Sequence, residues 1–420
     1  MSTDTILQAR VLPNRRQDHY LVNAEREAQQ RGLFDVPIVD CDSHCYETVC
    51  FPEIVAYIES PNVRRSFQFT SLESIQANLI PQNLGDRNVG GRLHPGGGYG
   101  AQEGAYPLDE RGANLHPVAA TTLRSMDALA IDYTILFPTP MLNIGLHPDY
   151  DMQNELTWAF NRWLVEDVIP NDDRLLSMPL LPIHDPEQCL RHIQAFSGRP
   201  GVVGFMVTCL QYQPLHRNVY MKVFDALNER GLPLAFHSAP NWTERPFAVL
   251  DSFLGAHALG FPFYAMVHMT NVVLSGLPER FPNIKWMFME AGQAWVPFTI
   301  ARLDNEYKQR SSEAPLLKRL PGEYIRDFYF TTQPFESHDR ASDTRAMIDM
   351  MNGSQTLLYA SDYPHQDFDT PAAIWDQPRF TEEERRAIVG GNAMKLFELS
   401  SPPAGVSAHA TGARDAEDVR

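Results

Sequence analysis

Eight short runs of aliphatic, aromatic and β-branched residues recur along this chain, at 36–44, 132–138, 174–182, 201–209, 232–239, 284–290, 327–333 and 356–362, and helical patterns fill the intervals between them. A strand that rejoins its sheet after a helix lies parallel to its predecessor, and parallel strands are covered on both faces, so they read as nearly continuous apolar runs. Eight such units predict an α/β fold of one kind, a closed (β/α)8 TIM-type barrel. The helices expected between the strands cover 154–168, 186–196, 219–230, 264–277, 293–307, 339–351 and 382–397. Asp185-Pro186 and Thr381 with Glu384 mark two of the starts, and Gly231 and Gly353 mark two of the ends.

Two segments break the alternation. Residues 60–125, after the first strand, contain a glycine-rich stretch (88–100) that cannot pack as a regular element and has no phosphate-loop pattern. An insertion there overhangs the mouth of a barrel, as a lid or as a plain surface loop. The expected organisation is an N-terminal arm over 1–35, a barrel over 36–400 interrupted by the 60–125 insertion, and a disordered tail over 401–420 rich in Ala, Gly, Ser and Pro.

Composition narrows the class of function. In 420 residues the net charge is -17 and no Lys/Arg cluster forms in the sequence, which argues against a nucleic-acid partner. The five cysteines (41, 45, 50, 189, 209) are odd in number and lack CxxC spacing, the pattern of reduced thiols in a cytoplasmic protein. The first residues hold no apolar signal core, and no apolar run is long enough to span a bilayer, so neither secretion nor a membrane partner is expected.

The ends of the runs carry the chemistry. Asp42 and His44 close the first run two residues apart, and in a strand such residues point to one face. His237 ends the fifth run, Glu290 the sixth and Asp362 the eighth. Active sites of barrels lie at these carboxyl ends, so five ligand-type residues on four strands are expected to form one shell. Cys41 alternates with Asp40 and Asp42 and points away from them, and Asp40 is expected to support strand 1 by hydrogen bonding.

These stretches also carry a family likeness. DCDSHCYE (40–47), AFHSAP (235–240), GLPERFPNIKWMFMEAGQAWVPFTIARLD (276–304), YASDYPH (359–365) and IVGGNAMKLF (388–397) resemble the amidohydrolase-related family, the branch of the amidohydrolase superfamily with metal-dependent aromatic and aminocarboxymuconate-type decarboxylases and some lactone hydrolases. The resemblance implies a distorted barrel with a divalent metal at its mouth. It places the first-strand ligand pair on Asp42 and His44, the fifth-strand histidine on His237 and the eighth-strand aspartate on Asp362, with Asp362 doubling as general base. Where many relatives have a sixth-strand histidine that acts on the substrate, this chain has Glu290. Glu290 therefore enters as both a metal ligand and a catalytic candidate, beside His237 and Asp362.

Three further residues belong to the expected surroundings of the site. His365, three residues past Asp362, is read as a ligand or an orienting partner, His268 as a satisfied buried helix histidine that, with Glu290 or His365, is a candidate to hold a second metal, and Glu47 as a substrate contact or a cap. The oxygen-rich donor set suits Mn, Fe or Zn, as one ion or two. No organic cofactor is indicated, because no GxGxxG follows a strand. Ser43, Ser238, Ser361, Cys41 and Cys45 flank the ligands without an identifiable base, so metal chemistry, and no serine or cysteine nucleophile, is expected to carry the reaction. The leading function is hydrolysis or non-oxidative decarboxylation of a small carboxylate-bearing or acyl substrate. The alternatives are a dinuclear non-haem Fe or Fe/Mn oxygenase on the same barrel and an inactive subunit paired with an active paralogue. The expected assembly is a homo-oligomer or such a paralogous pair.

Overall fold

The structure is a computed structural model and describes residues 17–68, 114–210, 213–239, 247, 249–250, 253–365 and 367–400. Most of the expected insertion, residues 1–16 of the expected arm and all of the expected tail lie outside the described residues. Each apolar run contains a strand: β1 (Val39–Cys45), β2 (Tyr133–Pro138), β3 (Leu175–Ser177), β4 (Phe205–Thr208), β5 (Leu234–His237), β6 (Trp286–Met289), β7 (Tyr329–Thr331) and β8 (Leu357–Leu358). All pair in parallel, as one arc β1-β2-β3 and a second arc β4-β5-β6-β7-β8.

Two seams turn the arcs into a barrel. Isolated bridges from Ser177 to Val202 and from Leu180 to Met206 join β3 to β4. At the other seam the Cys41 N–H donates to the Tyr359 carbonyl at 2.8 Å, the His44 N–H to Tyr363 at 2.8 Å, and the Asp362 N–H to Asp42 at 2.7 Å. The closed (β/α)8 barrel expected from the eight runs is the fold, and its β8-to-β1 seam runs through three of the ligand-type residues.

In-register pairing builds an aromatic ladder on the second arc. Phe236 pairs with Phe288 and Phe288 with Phe330, and the rings stack at 5.0 and 6.0 Å between centroids. All three are almost fully buried, each stabilising the barrel by roughly 1.5–3 kcal/mol.

Helices wrap the barrel: α1 (Gln17–Arg31), α2 (Pro117–Leu129), α3 (Tyr150–Trp163), α4 (Pro186–Phe196), α5 (Met221–Arg230), α6 (Phe253–Leu274), α7 (Trp295–Arg310) and α8 (Ala341–Met350). The start signals operate as read: Asp185 accepts from the N–H groups of Glu187 and Gln188 at the head of α4, and Thr381 and Glu384 form a capping box. One expectation is corrected. The helix placed at 264–277 begins at Phe253 and runs through Pro262. An interior proline costs about 3 kcal/mol, but Ala256, Tyr264, Ala265, Met269 and Val273 are all buried along this helix, and packing on both sides of the proline outweighs the local penalty. The expected 382–397 helix is interrupted by a wider π turn at Ala387–Gly391, where Gly390 lies so close to β1 that an added Cβ would stand 2.1 Å from the Pro37 carbonyl oxygen. No helix of the described residues is long and apolar enough to cross a membrane.

Candidate active site

The site forms where β1, β5, β6 and β8 open at the mouth. The pairing of β1 with β2 shifts register between Asp40 and Ser43, an irregularity of the kind that re-aims side chains. Asp40 anchors this stretch: its Oδ1 accepts from the Ser361 N–H at 2.8 Å and the Asp42 N–H at 3.1 Å, and its Oδ2 accepts from Ser361 Oγ. Burial pushes the Asp40 carboxyl up to about 7 although these donors favour its charged form.

Asp42, His44 and His237 converge at once. Asp42 Oδ1 stands 3.2 Å from His44 Nε2 and 3.1 Å from His237 Nε2, and His237 Nδ1 stands 3.5 Å from Glu290 Oε2. One ligand atom from each of Asp42, His44, His237 and Glu290 lies within 4.8 Å of the others, and so do atoms of a second group made of His44, Asp362 and His365. His44 belongs to both, its Nε2 3.2 Å from Asp362 Oδ1. Relative exposures of 0% for Asp42 and His237, 1% for Asp362, 3% for His44 and 5% for Glu290 put the whole cluster out of water.

Both histidines are set for ligation by their far nitrogens. His44 Nδ1 is 2.8 Å from the Pro138 carbonyl and His237 Nδ1 is 2.7 Å from the Ser238 carbonyl. A carbonyl only accepts, so Nδ1 carries the proton in each ring and Nε2 faces the cluster.

Three buried carboxylates then meet with no lysine or arginine paired to any of them among the described residues. His44 Nε2, Asp42 Oδ2 and Glu290 Oε2 are buried with no hydrogen-bond partner. Desolvated anions in this arrangement need a counter-charge. The groups respond to one another accordingly. Burial alone would raise the Asp42 carboxyl, but His237 and His44 outweigh it and hold it well below the ordinary range. Burial opposes charge on His44, but Asp362 and Asp42 push its pKa well above the usual value. Glu290, buried and facing the charge of Asp362, is pushed well up. The donor chemistry and the partnerless atoms both fit a divalent cation.

Backbone strain marks the same places. Glu290 and Asp362 have left-handed φ values of 50° and 58°, a conformation that costs a non-glycine residue roughly 1–3 kcal/mol. The turn swings each side chain off its strand end into the cluster, and Thr331 Oγ1 holds the Glu290 N–H at 2.9 Å.

The surrounding residues divide clearly. His365 Nδ1 is 2.6 Å from Asp362 Oδ1, its Nε2 is 3.1 Å from Thr139 Oγ1, and its ring lies 4.2 Å from that of His44. Glu47 is buried and accepts from the Thr139 and Met141 N–H groups, fixing the loop after β2. His268 lies behind the strands, 2.9 Å from the Cys209 carbonyl, and stays outside both ligand groups. Ser43 and Ser238 donate to the Tyr363 and Phe261 carbonyls, and Ser361 donates to the Asp40 carboxylate, whose oxygens also hold the Ser361 and Asp42 N–H groups. Thr139 and Thr331 escaped the sequence reading because a threonine at a strand end is too common to stand out.

The Amidohydrolase family model matches residues 115–399. Gamma-resorcylate decarboxylase of Polaromonas sp. (strain JS666 / ATCC BAA-500) is 24% identical over 265 residues, which cover 60% of this chain and 79% of that protein. Two solved structures share the fold at 20% identity over 87% of this chain and 97% of theirs: a dihydroxybenzoic acid decarboxylase from Polaromonas sp. JS666 with bound manganese and the inhibitor 2-nitroresorcinol (TM-score 0.57), and 5-carboxyvanillate decarboxylase from Novosphingobium aromaticivorans complexed with manganese and 4-hydroxy-3-methoxy-5-nitrobenzoic acid (TM-score 0.58).

Proposed function

We propose that this chain, which belongs to the amidohydrolase family, is a metal-dependent enzyme that removes the carboxyl group of a small carboxylated aromatic compound without oxidation. The observation that carries this reading is the convergence of Asp42, His44, His237 and Glu290 on one buried point beside the Asp362–His365 pair. The relatives named above, decarboxylases of aromatic acids, support the substrate class.

In this reading Asp42, His44, His237 and Glu290 hold one divalent ion, with manganese favoured over zinc or iron, and Asp362 closes the shell from the His44 side. The bound ion supplies Lewis-acid polarisation of a substrate oxygen and the counter-charge the carboxylates lack. The chain's own task is then the proton. Loss of CO2 from an aromatic carboxylate leaves an electron pair on the ring carbon, which must accept one proton. Asp362 is the group placed to relay that proton, its Oδ1 2.6 Å from His365 Nδ1, and His365 in turn is oriented by Thr139. Burial opposes charge on Asp362, but the adjacent His365 and His44 outweigh it and hold its pKa below the ordinary value, which keeps it the carboxylate that a general base must be.

The test is metal-loaded protein incubated without oxygen against a panel of hydroxylated aromatic acids in D2O. The expected result is CO2 release with one deuteron at the vacated ring carbon. A second reading, the dinuclear oxygenase, is favoured by the group His44, Asp362 and His365 alongside the first. Turnover that requires O2 would select it and discard decarboxylation.

A further inference from the structure

The opposite end of the barrel holds a cavity of about 500 Å³ that takes no part in the site above. Its walls come from the residues that lead into β6, β7 and β8 and from the helix Asn392–Leu396, among them Lys285, Trp286, Arg326, Phe328, Tyr329 and Lys395. That volume falls in the range of sites for small organic ligands.

Charge is what sets this cavity apart. Two carboxylates line it, and both are already matched: Glu279 by Lys318 at 2.6 Å and Asp327 by Arg319 at 2.6 Å. Lys285 and Lys395 have no ion-pair or hydrogen-bond partner among the described residues, and Arg326 spends only its Nε, on the Met350 carbonyl at 2.9 Å. Three unmatched cations therefore face one hollow in a chain of net charge -17. In the sequence they stand at 285, 326 and 395, so no basic cluster is visible there. Long-range repulsion keeps small anions away from most of such a surface, and a local positive hollow concentrates them. The floor adds aromatic surface: Trp286 and Phe328 are buried, and the half-buried Tyr329 brings a hydroxyl.

We infer that this cavity binds a small organic anion with two or more negative charges, a polyphosphate or a polycarboxylate. Lys285, Arg326 and Lys395 carry the recognition, and the aromatic floor gives the rest of the ligand a surface to lie on. This site is separate from the metal-ligating cluster, and the inference holds whatever reaction that cluster performs.

The experiment is isothermal titration of the metal-loaded full chain with inorganic pyrophosphate and, separately, with tricarballylate. The expected result is saturable binding of at least one probe, weakened by at least about tenfold in Lys285→Glu/Lys395→Glu. Both lysines are exposed, so the double variant should melt as the parent does. Trp286→Phe, which keeps the ring, should leave affinity within about twofold while altering the fluorescence response to the ligand. The two probes separate a phosphate source from a carboxylate source. Binding unchanged in the lysine variant, binding lost on metal removal, or no saturable binding of either probe would each overturn the proposal.

Discussion

Glu290 combines three costs in one residue: a buried carboxyl, a left-handed backbone and no hydrogen bond to its Oε2. Each is tolerated only if something repays it, and a cation is the economical answer. Glu290→Gly relieves the backbone strain and the desolvated charge together, so the metal-free variant should be more stable than the parent by about 1 kcal/mol in urea. With manganese added the order should reverse, because the variant has lost a ligand. Greater parent stability in both conditions would make Glu290 an ordinary structural residue. Asp40 tests the support beneath the ligands. Asp40→Asn replaces an acceptor that serves three donors, and metal affinity should fall by roughly 10- to 100-fold, as for changes just outside a ligand shell. Metal titration of the folded variant reads this directly, and unchanged affinity would detach Asp40 from the centre.

Among the elements, α4 carries the clearest pH response. His192 is fully buried in it, its Nδ1 accepts from the Asn161 amide at 2.8 Å, and burial, with Arg191 beside it, pushes its pKa down to about 3. The unfolded chain therefore binds a proton below about 6.5 that the folded chain refuses down to about 3. Stability falls on acidification across that window, by up to about 1.4 kcal/mol per pH unit from this group. His192→Gln keeps an acceptor for Asn161 but does not titrate, so the loss of stability between pH 6.5 and 5 should be smaller in the variant by about that amount per unit. Equal losses in variant and parent would assign the acid sensitivity elsewhere. The π turn Ala387–Gly391 gives a steric test. Gly390→Ala drives a methyl into the Pro37 carbonyl, and overpacking of this kind costs roughly 1–3 kcal/mol. An unchanged urea midpoint would mean that β1 and the turn slide apart freely.

For the molecule as a whole, the metal should act as a clasp. The cluster draws on β1 of one arc and on β5, β6 and the β8 end of the other, so any ion bound there ties the two arcs together beside the β8-to-β1 seam. An ion present at 100 times its Kd should add about 2.7 kcal/mol to unfolding, measurable as a chelator-sensitive shift in melting temperature. The barrel itself was legible in the sequence because parallel strands buried on both faces leave unbroken apolar runs, as at Leu234–His237 and Trp286–Met289. The places of Asp42, His44, His237, Glu290 and Asp362 at the mouth were legible because side-chain alternation and strand ends are local properties. What escaped was non-local. The tie between Asp40 and Ser361 spans 321 residues, the hold of Thr139 on His365 spans 226, and the basic hollow at 285, 326 and 395 exists only once the starts of β6 and β7 lie beside the helix Asn392–Leu396. The run through Pro262 escaped for the opposite reason, since local propensity spoke against what tertiary packing enforced.

The seam between β8 and β1 also sets an order of events during synthesis. Cys41, Asp42 and His44 leave the ribosome early and stay incomplete until the backbone of Tyr359, Asp362 and Tyr363 arrives to take up their hydrogen bonds. A nascent chain, or a product cut short before residue 359, holds every ligand of the first group except the strand that closes on them. A copy terminated before residue 359 leaves β1 without these backbone partners, an unpaired strand edge of the kind that invites pairing with another chain.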